Sequence, residues 1–225
     1  MKQLVLDIAP THSATLDNFV AGRNVELLQA LQELAAGQLK ERFIYLWGDS
    51  ASGKSHLLQG FVRAATQRHI NAAYVDITQG SDLDPDLALY QAVAIDNAAH
   101  LNGADQIALF NLYNWMRDGE RMLVVSGPCA PAQLDLRQDL VTRLGWGLVY
   151  QVHCLSDEEK TQALKAQAQA RGFTLSDEVT TYLLRHWQRD LPSLLAALDV
   201  VDRYSLQTQR AVTVPLLREI LFIPQ

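Results

Sequence analysis

Gly48-Asp49-Ser50-Ala51-Ser52-Gly53-Lys54-Ser55 fits the pattern G-x-x-x-x-G-K-[ST] at every fixed position. Upstream, Phe43-Ile44-Tyr45-Leu46-Trp47 is an apolar and aromatic run of strand length. Downstream, Leu57, Leu58, Phe61, Val62 and Ala65 recur at helical spacing. The stretch therefore predicts a strand, a phosphate-cradling turn and a helix. Gly48 and Gly53 let the loop wrap so that the backbone N–H groups of Asp49, Ser50, Ala51 and Ser52 turn inward toward phosphate oxygens. The helix start adds the positive end of its dipole. Lys54 is expected on the β- and γ-phosphates and the Ser55 hydroxyl on Mg²⁺. The chain is expected to bind a nucleoside phosphate.

A chain of 225 residues can bury a sizeable core in one or two domains. Its net charge of −6, with no dense Lys/Arg block, argues against a strong direct grip on DNA and favours a protein partner. No apolar run approaches the ~18–20 residues needed to cross a bilayer, and the N-terminus lacks the order of a secretion signal. The expectation is a cytoplasmic protein with no membrane segment. Cys129 and Cys154 form no metal-ligand pattern and read as reduced, structural thiols. The scattered histidines make no zinc motif, and His56 reads as a packed helix residue.

Gln3-Leu4-Val5-Leu6-Asp7-Ile8 reads either as an edge strand or as a short peptide that docks its apolar side chains in a partner's groove. A helix is expected from near Asn24, with Val25, Leu27, Leu28, Leu31, Leu34 and Ala35 on its apolar face and Gly37 at its end. Strands follow at Ala72–Val75 and Ala92–Asp96, with a surface loop from Gly80 to Asp86 between them. A helix over Gln106–Arg117, a strand over Arg121–Ser126 broken by Gly127-Pro128, a helical turn over Leu140–Leu144 and a strand over Leu148–Val152 complete a mostly parallel five-stranded sheet.

Asp96 ends a buried apolar strand downstream of the P-loop lysine, where a carboxylate would order water around Mg²⁺. The next position, often a second acid that orients the attacking water, is Asn97. An amide cannot accept the water's proton at neutral pH. Binding machinery is expected to be intact and intrinsic hydrolysis weak.

From Ser156 the pattern becomes all-helical. Ser156-Asp157-Glu158-Glu159 is a capping box. Its helix should end near Gly172, a second should cover Ser176–Gln188, a third should start near Asp190 with Pro192 in its first turn, and a last should cover Val214–Phe222. The expected organisation is a peptide and linker over residues 1–14, an α/β core over 15–154 and a helical lid over 155–225.

The P-loop, Asp96, the strand ending at Ser126 and the helical lid together resemble the AAA+ ATPases, in the group of the replication initiator DnaA. Asp17-Asn18-Phe19-Val20 followed by Gly22 resembles the segment before the DnaA core, which would bring Phe19 and Val20 to the nucleotide. Thr142-Arg143-Leu144-Gly145-Trp146-Gly147-Leu148 is similar to that group's arginine-finger segment, and Arg189-Asp190-Leu191 to its sensor-2 segment. Gly127-Pro128 stands where an acidic sensor-1 residue is frequent, with Ser126 as a stand-in. DnaA continues into a helix-turn-helix domain, whereas this chain stops after the lid. That architecture resembles the Hda family.

The resemblance implies a negative regulator of replication initiation that holds ADP or ATP with Mg²⁺. It would dock on the DNA polymerase III β sliding clamp through Gln3, Leu4, Leu6 and Ile8, and supply Arg143 in trans to the ATP held by DnaA. Self-association into a homodimer is a further option. The alternatives are an autonomous AAA+ ATPase, such as a helicase loader or transposition ATPase acting on DNA, and an assembly adaptor with no hydrolysis.

Overall fold

The computed structural model describes residues 13–79, 83–188 and 190–221. They fall into two compact units, one over Ala14–Cys154 and one from Leu155 onward. Gln3, Leu4, Leu6, Ile8 and Arg189, to which the sequence assigns docking and sensor roles, lie outside the described residues.

The first unit is built on five parallel strands: β1 (Phe43–Trp47), β2 (Ala72–Asp76), β3 (Ala92–Asp96), β4 (Met122–Gly127) and β5 (Leu148–Gln151). They lie in the order β2-β3-β4-β1-β5. Side chains alternate across the sheet with period two. Phe43, Tyr45, Val93, Ile95, Leu123 and Val125 enter one core with Leu109 and Met116 of α3 (Gly103–Asp118) and Leu140 of α4 (Gln138–Leu144). Ile44, Leu46, Ala92, Ala94, Met122 and Val124 enter the other, with α1 (Val25–Ala35) and α2 (Lys54–Gln67). Both faces are covered, which is why the strands read as unbroken apolar runs.

Some boundaries and faces differ from the sequence reading. Val25 is 61% exposed because it opens α1 on the solvent side rather than joining the apolar stripe. Helix α3 starts earlier than the apolar period suggests, at Gly103, because the Asn102 side chain accepts from the N–H groups of Ala104 and Asp105. Cys129 is partly buried, while Cys154 is exposed and so not a core residue.

The second unit contains α5 (Asp157–Ala170), α6 (Asp177–His186), α7 (Leu191–Thr208) and α8 (Val214–Leu221). The capping box is formed: Glu159 N–H donates to Ser156 Oγ and Ser156 N–H to the Glu159 carboxylate. The Ser176 and Asp190 side chains cap α6 and α7, accepting from the N–H groups of Val179 and Ser193, without the reciprocal carboxylate bond. Leu164, Ala168, Val179, Leu183, Leu194, Leu198, Val201, Leu216 and Leu217 form its core. Arg171 pairs with Asp199 in a largely buried ion pair. No helix among the described residues is long and apolar enough to cross a membrane.

Candidate functional site

The P-loop leaves the C-terminal end of β1, one strand in from the β5 edge, on the side where parallel α/β folds open their ligand crevice. Gly48 is required by close approach: a Cβ there would stand 2.4 Å from the Val152 carbonyl oxygen. Gly53 is required by conformation, with φ at +100° as the N-cap of α2. No side chain caps α2, whose first helical bond runs from Leu57 N–H to Gly53 C=O. Helices α3, α5, α6 and α7 all carry a side-chain cap at this position. The N–H groups of the first turn of α2 are thus left for an anion.

The Lys54 ammonium donates to the carbonyls of Gly48 and Asp49, both at 2.7 Å, and lies 3.4 Å from Ser52 Oγ. Burial holds its pKa below the usual lysine value, and the Asp96 carboxylate opposes that shift. Both effects come from one arrangement, a cation half-withdrawn from water and facing an acid at the next strand end but one. Ser55 is exposed, and its hydroxyl has no protein partner among the described residues.

Asp96 is fully buried at the end of β3. Tyr74 Oη donates to its Oδ2 at 2.9 Å, the Asn97 N–H donates to Oδ1 at 3.0 Å, and the Ser126 hydroxyl also donates to Oδ1. Burial pushes the Tyr74 phenol far above its ordinary pKa, so it stays a donor at neutral pH. Three donors satisfy a buried carboxylate and still leave a lone pair on Oδ2. Ser126, the stand-in expected at the end of β4, therefore touches the acid directly.

Asn97 adopts a left-handed backbone, φ 62° and ψ 42°. Its side-chain amide donates to Asp76 Oδ1 at 3.0 Å, across the in-register pair Asp76 and Asp96 of β2 and β3. The position that sequence reading singles out as a lost acid is thus tied to an acid on the neighbouring strand. Asp105, which nothing in the sequence places, is buried away from Asp96 and accepts from the Leu83 N–H at 3.0 Å.

The segment before α1 is fastened to the P-loop helix. Thr15 and Asn18 bond each other reciprocally, and His56 Nε2 lies 2.9 Å from both Thr15 O and Asn18 Oδ1. The Phe19 ring lies against Gly53 and 5.5 Å from the His56 ring. Val20 is half-buried beside it. His56 is therefore a packed helix residue, and burial lowers its pKa against the opposing pull of the Thr15 carbonyl. The buried Asn24 side chain, which no motif marks, donates to His153 O and accepts from His153 N–H, tying α1 to the chain beyond β5. A separate polar groove of about 510 Å³ opens between α1 and α2, lined by Asp17, Gln32, Glu33 and Arg63 among others, and contains no P-loop residue.

The groups gathered here are an ammonium, a free hydroxyl, an uncapped helix start and a buried carboxylate. They are chemically suited to a nucleoside phosphate with Mg²⁺.

Arg143 is not brought to this site. It lies in the last turn of α4, which leads within a few residues to the start of β5, level with Ile44 near the beginning of β1. In a parallel sheet the crossover helices run against the strands, so the end of α4 lies at the strands' N-terminal ends. The P-loop lies at the other ends, about 16 Å of strand away. There the Arg143 guanidinium lies 3.9 Å from the Trp146 ring centroid.

Comparison with known proteins adds four findings. A family model described as the Hda lid domain matches residues 157–221. An uncharacterized protein of Haemophilus influenzae is 36% identical over 228 residues, covering 98% of each chain. Among solved structures, domain III of the Thermotoga maritima replication initiation protein DnaA superposes with a TM-score of 0.76 at 21% identity, covering 95% of this chain and 98% of that one. AMPPCP-bound DnaA from Aquifex aeolicus gives 0.72 at 20% identity, over 88% of this chain and 68% of that one. At these identities the structural likeness is one of fold.

Proposed function

We propose, from the premise that this chain belongs to the DnaA/Hda group of AAA+ proteins as an Hda-like member, that it is a nucleotide-binding regulator acting on DnaA. Its P-loop and Asp96 hold ADP or ATP with Mg²⁺ as a structural ligand. Lys54 exchanges the carbonyls of Gly48 and Asp49 for phosphate oxygens, and Ser55 turns its hydroxyl to the ion. Phe19 and Val20 border the nucleoside side of the pocket. Gln3, Leu4, Leu6 and Ile8 dock on the β sliding clamp, which raises the local concentration of the protein near DnaA without adding contacts to it.

The observation that carries this reading is the position of Arg143. It stands at the end of the sheet opposite its own P-loop. No carboxylate among the described residues pairs with it, and its Nε is buried without an acceptor. A guanidinium so placed cannot serve the nucleotide of its own chain but can meet one held by a partner. There it would stabilise the charge that develops during γ-phosphoryl transfer, an effect worth roughly 10³–10⁵ in rate where such fingers act.

The test is single-turnover hydrolysis of ATP pre-bound to DnaA, with DNA-loaded clamp and this protein added, wild type beside Arg143→Ala. Acceleration by wild type alone supports the reading; equal rates with both overturn it. Replacing Gln3, Leu4 and Leu6 with Ala should abolish clamp binding, and unchanged binding would refute the tether.

The complete P-loop favours a second reading, an autonomous ATPase. The engagement of Asn97 by Asp76 speaks against it. Vigorous DNA-stimulated turnover by the isolated chain would bring it forward.

A further inference from the structure

Most arginines near a protein surface are held through their N–H donors, by carboxylates or carbonyls. Arg143 is held otherwise. Its guanidinium carbon is 3.9 Å from the centroid of the Trp146 ring and 5.3 Å from that of Phe110. Its buried Nε has no hydrogen-bond partner. Trp146 is itself 52% exposed, an uncommon setting for so large an apolar ring.

A ring face attracts a cation through its quadrupole and uses none of the cation's N–H groups. An ion pair would fix the same side chain by its donors. Those bonds would have to break, and a bare carboxylate would remain, before the guanidinium could meet a new anion. The ring imposes neither cost. The unpartnered Nε adds a bias in the same direction, because a buried donor without an acceptor is unfavourable and an incoming anion relieves it. Arg117 brings a second guanidinium to 5.7 Å from the same ring. When Arg143 leaves, the ring keeps a cation nearby.

We propose that Trp146 is a positioning residue: its ring seats Arg143 beside Phe110 with the guanidinium donors unspent, ready for transfer to the phosphate of a nucleotide bound by a partner subunit. This rests on Arg143 acting in trans. The seat and the finger can nevertheless be tested apart.

The experiment compares wild type with Trp146→Phe and Trp146→Leu in the full chain, with two readouts. The first is the NMR shift of the Arg143 side-chain protons in the chain alone. The wild type should show an upfield ring-current shift, the Phe variant should keep much of it, and the Leu variant should keep only the small part that Phe110 contributes. The second is single-turnover hydrolysis of DnaA-bound ATP in the presence of clamp. The Leu variant should be slower by about tenfold, the scale of having to order one free arginine side chain before it meets the phosphate, with Phe restoring most of the rate and equilibrium binding to DnaA unchanged. Absence of the ring-current shift in wild type overturns the seat. So does a Leu variant that loses the shift yet hydrolyses at the wild-type rate. If Arg143→Ala also leaves the rate unchanged while the ring-current shift is present, the finger reading is what fails.

Discussion

Asp96, at the C-terminal ends of the strands, accepts hydrogen bonds from Tyr74, Ser126 and the backbone of Asn97, whereas Arg143, at the opposite ends, keeps a buried Nε with no acceptor. On the proposed reading, one end of the sheet holds and the other presents. At the holding end, glycines, strand register and a hydroxyl network fix polar groups against each other. At the presenting end, an arginine rests on an exposed aromatic ring. A single fold thus satisfies one buried charged group with hydrogen bonds at one end and leaves another with a buried donor unpartnered at the other.

The comparison breaks most visibly if the two ends do not separate functionally. Arg143→Ala should lower stimulation of DnaA-bound ATP hydrolysis by roughly 10³-fold or more. It should leave nucleotide affinity of this chain unchanged, as read by titration with a fluorescent ATP analogue. Loss of both together would show that the ends are coupled.

Lys54→Ala should do the converse at the holding end. Removing the cation that faces Gly48, Asp49 and Asp96 is expected to weaken nucleotide binding about 10- to 100-fold, the scale of a charge-assisted contact. The ring-current shift of Arg143 should not move.

Exchange of charge between Asn97 and Asp76 sharpens the account of the holding end. Asn97→Asp would set a second carboxylate where the amide now donates to Asp76 at 3.0 Å. It should destabilise the fold by about 1–3 kcal/mol in urea unfolding. Adding Asp76→Asn should restore most of the loss, since the pair is then amide and acid again. No recovery would mean that the hydrogen bond is incidental.

The smallest expected effect is that of His56. Its folded-state pKa lies below 6.5, chiefly through burial, so the unfolded chain binds the proton first. Its contribution to stability is complete above about pH 6.5 and is lost as pH falls through the folded value. Thermal unfolding between pH 7 and 5 should therefore show a steeper decline in wild type than in His56→Gln.

The parts of this protein that could be read along the chain are those whose physics is local. The P-loop is contiguous, so its glycines, lysine and serine announce the turn and the helix start together. Asp96 could be recognised because an apolar strand ends on it. Ser156 and Glu159 bond within one helical turn, and Pro192 marks a first turn by its own geometry. The alternating cores follow from period-two burial in a sheet covered on both faces.

Contacts that depend on strand order could not be read that way. Tyr74 and Ser126 meet Asp96 only because β2 and β4 flank β3, and Asp76 reaches Asn97 only because β2 and β3 are in register. Asn24 meets His153 across 129 positions of sequence, with nothing local to mark either. The resemblance of the segment around Arg143 to an arginine finger was legible, but its separation from the P-loop and its place on Trp146 were not. Which side chains could hold phosphate, and which turns and helices would form, follows from residue order alone, because each rests on neighbours within a few residues. Which acid is satisfied, which amide is tied down and which arginine keeps an unpartnered donor emerges only on folding, because those depend on groups brought together through the sheet.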